Sequence, residues 1–174
     1  MRARLICGMI LFIPLLFARS ASAQVSATQT FIVRVPASIS ITAPSNVVLT
    51  HDQSDNVQTF PNQQWTVKGN VQNGVLVTFA TNQPFTHTVN NTFKRNAKLN
   101  LALASTQGPA SWNITKVTDT TNYVAGVNVA AVQASSTGVG RATFNLGVSF
   151  ITDAYGTFAA GDYETVVTGT VTAN

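Results

Sequence analysis

Residues Val25 to Ala43 alternate with period two over almost their whole length. Odd positions read Val25, Ala27, Gln29, Phe31, Val33, Val35, Ala37, Ile39, Ile41, Ala43, and even positions are mostly Ser, Thr or Pro. Only Gln29 and Ile32 break the pattern. Period two places the apolar side chains on one face of an extended arm. That face needs a core to lie on, either the chain's own or a neighbour's, and both demand the same pattern. Burying Phe31, Val33, Val35, Ile39 and Ile41 is worth roughly 8–15 kcal/mol, at about 1.5–3 kcal/mol per side chain. A whole domain is stable by only about 5–15 kcal/mol, so the arm weighs as much as the net stability of a fold. Pro36 lacks an N–H and cannot sit in mid-ladder. The arm is therefore expected to split there or to run along an edge.

The segment before the arm reads as a secretory signal peptide, residues 1–23. Arg2 and Arg4 form a basic start, Leu5 to Phe17 is apolar, and Ala21-Ser22-Ala23 offers a small-x-small cleavage site. The apolar run is shorter than the roughly 20 residues that span a bilayer, so no membrane span is expected after cleavage. Cys7 lies inside that run rather than at a junction, which argues against a lipoprotein. The expected destination is the periplasm, then the cell surface or the medium.

Cleavage changes the charge balance. Three of the ten basic residues (Arg2, Arg4, Arg19) leave with the leader, and seven remain against six acids. A near-neutral chain offers no basic field for nucleic acid. The single cysteine goes too, so neither a disulfide scaffold nor a thiolate metal site is expected. Charged residues make up 9% of the chain, which gives little protection against edge-to-edge association.

Strand patterns then recur with turn signals between them. Asn46–Thr50 reads as a short apolar strand and His51–Asn56 as a polar turn. Trp65 to Thr81 reads as a hairpin closed by Gln72-Asn73-Gly74, which pairs Val71 with Val75 and Val67 with Phe79 and puts Gly74 at a left-handed position. Further stripes are Leu99, Leu101 and Leu103; Trp112 and Ile114; Val127, Val129 and Ala131; Ala142, Phe144, Leu146, Val148 and Phe150; and Val167 with Val171 in a terminal strand over Tyr163–Ala173. Eight to ten strands imply an all-β, two-sheet, immunoglobulin-like sandwich. It would be one domain over 24–174, with 24–44 as its N-terminal arm.

Chemistry is sparse. His51 and His87 lack metalloprotease spacing, and there is no G-x-S-x-G elbow. The carboxylates Asp52, Asp55, Asp119, Asp153, Asp162 and Glu164 stand in turn or strand-end contexts. No enzyme, cofactor or metal is expected, and a hydrolase would need two of these acids converging in a cleft. His51–Asn56 could offer oxygens to calcium but lacks the EF-hand glycine and terminal glutamate, so it reads as a polar turn. Lys94, Arg95 and Lys98 read as a solvated basic loop or an edge guard. Trp65 and Trp112 share faces with Val67 and Ile114, so they read as core rather than as a sugar platform with Tyr123. Asn90-Asn91-Thr92 and Asn113-Ile114-Thr115 match the glycosylation sequon, a match that chance supplies in an Asn- and Thr-rich chain.

The layout resembles bacterial surface pilins of the chaperone–usher kind, notably cysteine-free CS1-type subunits, and the related spore-coat-U-like secreted domains. The resemblance rests on the arm Val25 to Ala43, on Thr59 to Thr81, and on Ala160-Gly161-Asp162-Tyr163-Glu164-Thr165-Val166-Val167. It implies a non-enzymatic structural subunit of a fibre or coat. In such a family the N-terminal arm completes a neighbouring subunit by strand addition. Phe31, Val33, Val35, Ile39 and Ile41 would then be the donor side chains. The implied partners are further copies or homologous subunits, with a periplasmic chaperone or a glycan as additional ones. The alternative is a monomeric carbohydrate-binding or adhesin module whose arm folds on its own sheet. An exposed aromatic row including Tyr123 or Tyr155 would favour it.

Overall fold

The computed structural model describes residues 24–174; the signal-peptide expectation for 1–23 lies outside them. In chain order the strands are β1 (Ile39–Thr42), β2 (Gln58–Thr59), β3 (Gln63–Gly69), β4 (Val75–Thr81), β5 (Phe85–His87), β6 (Lys94–Arg95), β7 (Ala97–Gln107), β8 (Trp112–Lys116), β9 (Thr118–Thr120), β10 (Ala131–Ser136), β11 (Gly140–Phe150), β12 (Tyr163–Glu164) and β13 (Val167–Ala173). The all-β class is as the periodicity implies. The strand number exceeds eight to ten because β2, β5, β6, β9 and β12 are only two or three residues long.

Residues 35–174 form one compact unit. Its larger sheet runs β1-β3-β11-β7-β9, with β2 also on β11, and its second runs β13-β4-β10-β8. A small third sheet is ordered β12-β5-β6. All the pairings are antiparallel. The inner stripes of the two larger sheets meet in a core that includes Val67, Val75, Val77, Phe79, Leu99, Leu101, Phe144 and Leu146, all at most 1% exposed. Trp65, Phe79, Phe144 and Trp112 run through it edge to face, with ring centroids 5.2–5.9 Å apart.

Trp65–Thr81 is not a hairpin. β3 pairs with β1 and β11, and β4 pairs with β10 and β13. The chain crosses from one sheet to the other at Gln72-Asn73-Gly74, so the two apolar faces look at each other across the core instead of lying side by side. Alternation is identical in the two cases. The turn itself is as expected: Gly74 N donates to Val71 O at 3.1 Å, and Gly74 has φ 79°. A Cβ on Gly74 would also strike the Ser136 carbonyl of the β10–β11 connection. That connection crosses between the sheets too, as does β7 to β8.

Three other expectations fail. Of the stripe Val127, Val129 and Ala131 only Ala131 lies in a strand, and both valines are 49% exposed. Asn46–Thr50 is not a strand, and Val48 is 92% exposed. Its apolar residues are consecutive rather than alternating and find no partner strand. Tyr163–Ala173 breaks into β12 and β13, which join different sheets. Pro36 marks the end of regular pairing: residues 24–38 form no strand, and β1 itself lies at a sheet edge.

Candidate functional site: an open seam between two sheet edges

On one side the two large sheets are joined by a continuous piece of chain. β8 is the edge of the four-stranded sheet and β9 the edge of the larger one, with Val117 alone between them. A strand that switches sheets in this way closes a corner. Val117 O accepts from Leu101 N at 2.8 Å, Thr118 Oγ1 donates to Leu99 O at 2.8 Å, and Asp119 Oδ2 accepts from Ala131 N at 2.8 Å. Asp119 also pairs with Lys116 at 2.7 Å. Burial pushes the Asp119 carboxyl up, but Lys116 and the Ala131 and Thr120 N–H groups outweigh it and hold the acid below its ordinary range.

On the opposite side the described residues supply no such strand. There the edges are β1 and β13. The inward row of β13 is Val167, Gly169, Val171 and Ala173, opposite Thr81, Phe79, Val77 and Val75 of β4. The three apolar residues on β4 are 0% exposed, whereas Val167 and Val171 are half-buried and Ala173 is exposed. β1 shows the same step: Ile41 is half-buried beside fully buried Val67, and Ile39 is 39% exposed beside Gly69. Gly169 sets how closely these edges approach, because a Cβ there would lie 2.7 Å from Ile41 Cδ1 and 2.8 Å from Trp65 Cζ3. β13 pairs on one side only, so alternate N–H and C=O groups of its outer edge have no ladder partner. Neither Ile39–Thr42 nor Val167–Ala173 contains a charged residue, so no charge guards this edge.

The five arm residues fall into two sets. Ile39 and Ile41 pair within the domain's own sheet. Phe31, Val33 and Val35 are 83%, 87% and 78% exposed. Asn70 holds the boundary: its N–H donates to Ser38 O at 3.1 Å, its Nδ2 donates to Pro36 O at 2.9 Å, and its Oδ1 accepts from Ser38 N. Sequence reasoning missed Asn70 and Gly169 and saw Asp119 only as a strand-end acid, because their roles exist only once the topology is known.

The remaining candidates serve the fold. Arg95 is not solvated. It is 8% exposed, donates to Thr157 Oγ1 at 2.8 Å and Lys94 O at 2.9 Å, and lies 4.3 Å from the Phe158 ring centroid. His51 Nδ1 accepts from Gln53 N at 3.0 Å, which places the ring proton on Nε2. Nε2 therefore donates to Thr152 Oγ1 at 3.0 Å, and that hydroxyl donates to Asn56 O at 2.6 Å. In this tautomer His51 is not a base for Thr152. Asp52 Oδ1 takes Ser54 N, Ser54 Oγ and Gln58 Nε2, and the Ser54 bonds hold its carboxyl below the usual value. Asp55 accepts from Tyr155 N. Trp65 is buried and Trp112 half-buried against the core, so neither forms a surface platform. Tyr155, 45% exposed, stacks on His51 at 5.5 Å. Among the described residues no three His, Cys, Asp or Glu gather as a metal site, and no helix is long and apolar enough to cross a membrane.

Comparison with known proteins found no matching family model, no matching curated protein and no matching solved structure.

Proposed function

We propose that this chain is an exported, non-enzymatic structural subunit of a cell-surface fibre or coat that assembles by β-strand addition. The observation that carries the reading is the uncharged, half-buried seam between β1 and β13, in a chain that also exposes Phe31, Val33 and Val35. In this reading the domain is an immunoglobulin-like sandwich whose β13 edge takes a strand from outside, in keeping with β13 standing at the end of its sheet. An arm from a second copy would supply that strand. Its backbone would satisfy the outer edge of β13, and its alternate side chains would cover Ile41, Val167 and Val171. The donor is then the segment ahead of Pro36, because Ile39 and Ile41 already complete β1 in their own subunit. Three apolar side chains contribute up to roughly 5–9 kcal/mol at the seam, before the cost of ordering the arm. An edge of this kind invites aggregation before assembly, which gives a periplasmic chaperone a place to act.

The test compares the full chain with a variant lacking residues 24–35, by size-exclusion chromatography with light scattering. The full chain should form multimers, whereas the shortened one should stay monomeric and bind a synthetic 24–37 peptide. A full chain that is monomeric at every accessible concentration, or a shortened one that still forms multimers, overturns the reading.

A further inference from the structure

His87 is the last residue of β5 and is 8% exposed. Its Nδ1 accepts from Val89 N at 3.1 Å and from Asn90 N at 3.0 Å. Two N–H donors at Nδ1 leave the ring proton on Nε2, which donates to Ala160 O at 3.2 Å. One imidazole therefore ties the 88–93 turn to the loop ahead of β12. The backbone is drawn in close around it: Gly161 has φ 144°, and a Cβ there would strike the ring. The Phe93 and Tyr163 rings pack edge to face on it, with centroids at 6.0 and 5.1 Å.

These bonds suit the neutral ring alone. A proton on Nδ1 would face two backbone N–H groups, and both would lose their acceptor. No counter-ion waits for the charge either. The 88–93 turn has no ionisable residue. β6 brings Lys94 and Arg95, and Arg95 lies 4.3 Å from the Phe158 ring, which packs on Tyr163. Burial pushes the Tyr163 hydroxyl up against the opposing pull of Arg95, and that hydroxyl donates to Ala159 O at 2.9 Å. Asp162 and Glu164 are the acids on the other side, and neither pairs with His87. The ion pairs among the described residues are His51–Asp52 and Lys116–Asp119. His51 differs in this respect, since its Nδ1 lies 3.9 Å from the Asp52 carboxylate.

We propose that His87 is an acid-sensitive latch. Neutral, it pins the 88–93 turn to Ala160. Protonated, it lets both go, and Phe93 and Tyr163 lose the ring packed against them. The buried core is made of apolar side chains, so the sandwich stays folded while this end opens. Histidine is the side chain that changes charge between about pH 5 and 8. The latch is closed at neutral pH and opens as pH falls.

Hydrogen exchange by mass spectrometry on the full chain tests this at about pH 7.5 and about pH 5.5, with rates corrected for the intrinsic effect of pH. Protection across 88–93 should fall by about tenfold or more at the lower pH, the loss of one buried acceptor, while β4 and β11 keep theirs. His87→Asn offers a carbonyl acceptor that does not titrate. Its protection across 88–93 should be the same at both pH values, with β4 and β11 as in the parent. His51→Asn should lose protection across 88–93 as the parent does. Equal protection of the parent at both pH values, a His87→Asn chain that loses it as the parent does, or a His51→Asn chain that keeps it, overturns the proposal.

Discussion

The two sides of the sandwich solve the same problem differently. At β8–β9 the chain crosses from sheet to sheet through Val117, and three hydrogen bonds, one to a half-buried carboxylate that also pairs with a lysine, fasten it. At β1 and β13 the two edges come close at Gly169, yet among the described residues no strand joins them, and neither strand carries a charge. A fold that can close one edge with its own chain does not need the other edge open for stability. On the proposed function, this asymmetry leaves the β1–β13 side for a strand from another copy.

The largest effect should come from the open side. Val171→Lys puts a charge on its half-buried inner row and should abolish multimers in light scattering while the monomer still melts cooperatively. Multimers that survive would mean that association uses another surface. Gly169→Val should come next. Its side chain would enter the space held by Ile41 and Trp65, and overpacking of that kind costs about 1–3 kcal/mol in urea melts. An unchanged midpoint would show that the edges are looser than this spacing implies.

On the closed side, Asp119→Ala strands the Ala131 N–H and should cost about 1–3 kcal/mol by the same melts, without altering assembly. The pH dependence has a definite sign. Asp119 is held below the ordinary aspartate value of 3.8, so its contribution is complete above that value and is lost as pH falls through the lower folded-state value. Thermal melts in acid should show the parent losing stability that Asp119→Ala has already lost, so the gap between them narrows. Lys116→Ala should do least, about 0–1 kcal/mol for a part-exposed pair.

Much of this architecture was legible in the sequence, and the limit has a physical cause. Period two marks which residues face inward, so the stripes at Trp65–Val67, Val75–Phe79 and Ala142–Phe150 read directly as core. Period two does not say which strand pairs with which. Gln72-Asn73-Gly74 makes the same tight turn whether β4 returns beside β3 or crosses to face it, and the two differ only in strand partners that lie elsewhere in the chain. The seam was out of reach for that reason, since β1 and β13 stand more than a hundred residues apart in the chain. The arm was visible, but its division at Pro36 into a paired and an exposed part depends on Asn70, one polar residue among many. Arg95 looked like a surface cation because its cover, Thr157 and Phe158, lies far along the chain.

Hydrogen exchange resolved along the chain tests the central claim most directly, followed in the shortened protein with and without the 24–37 peptide. Peptide should slow exchange across Val167–Ala173 and leave β8 and β9 unchanged. Equal exchange over Val167–Ala173 in both samples, or protection that appears at β8–β9 instead, would contradict an open seam awaiting a strand from another copy.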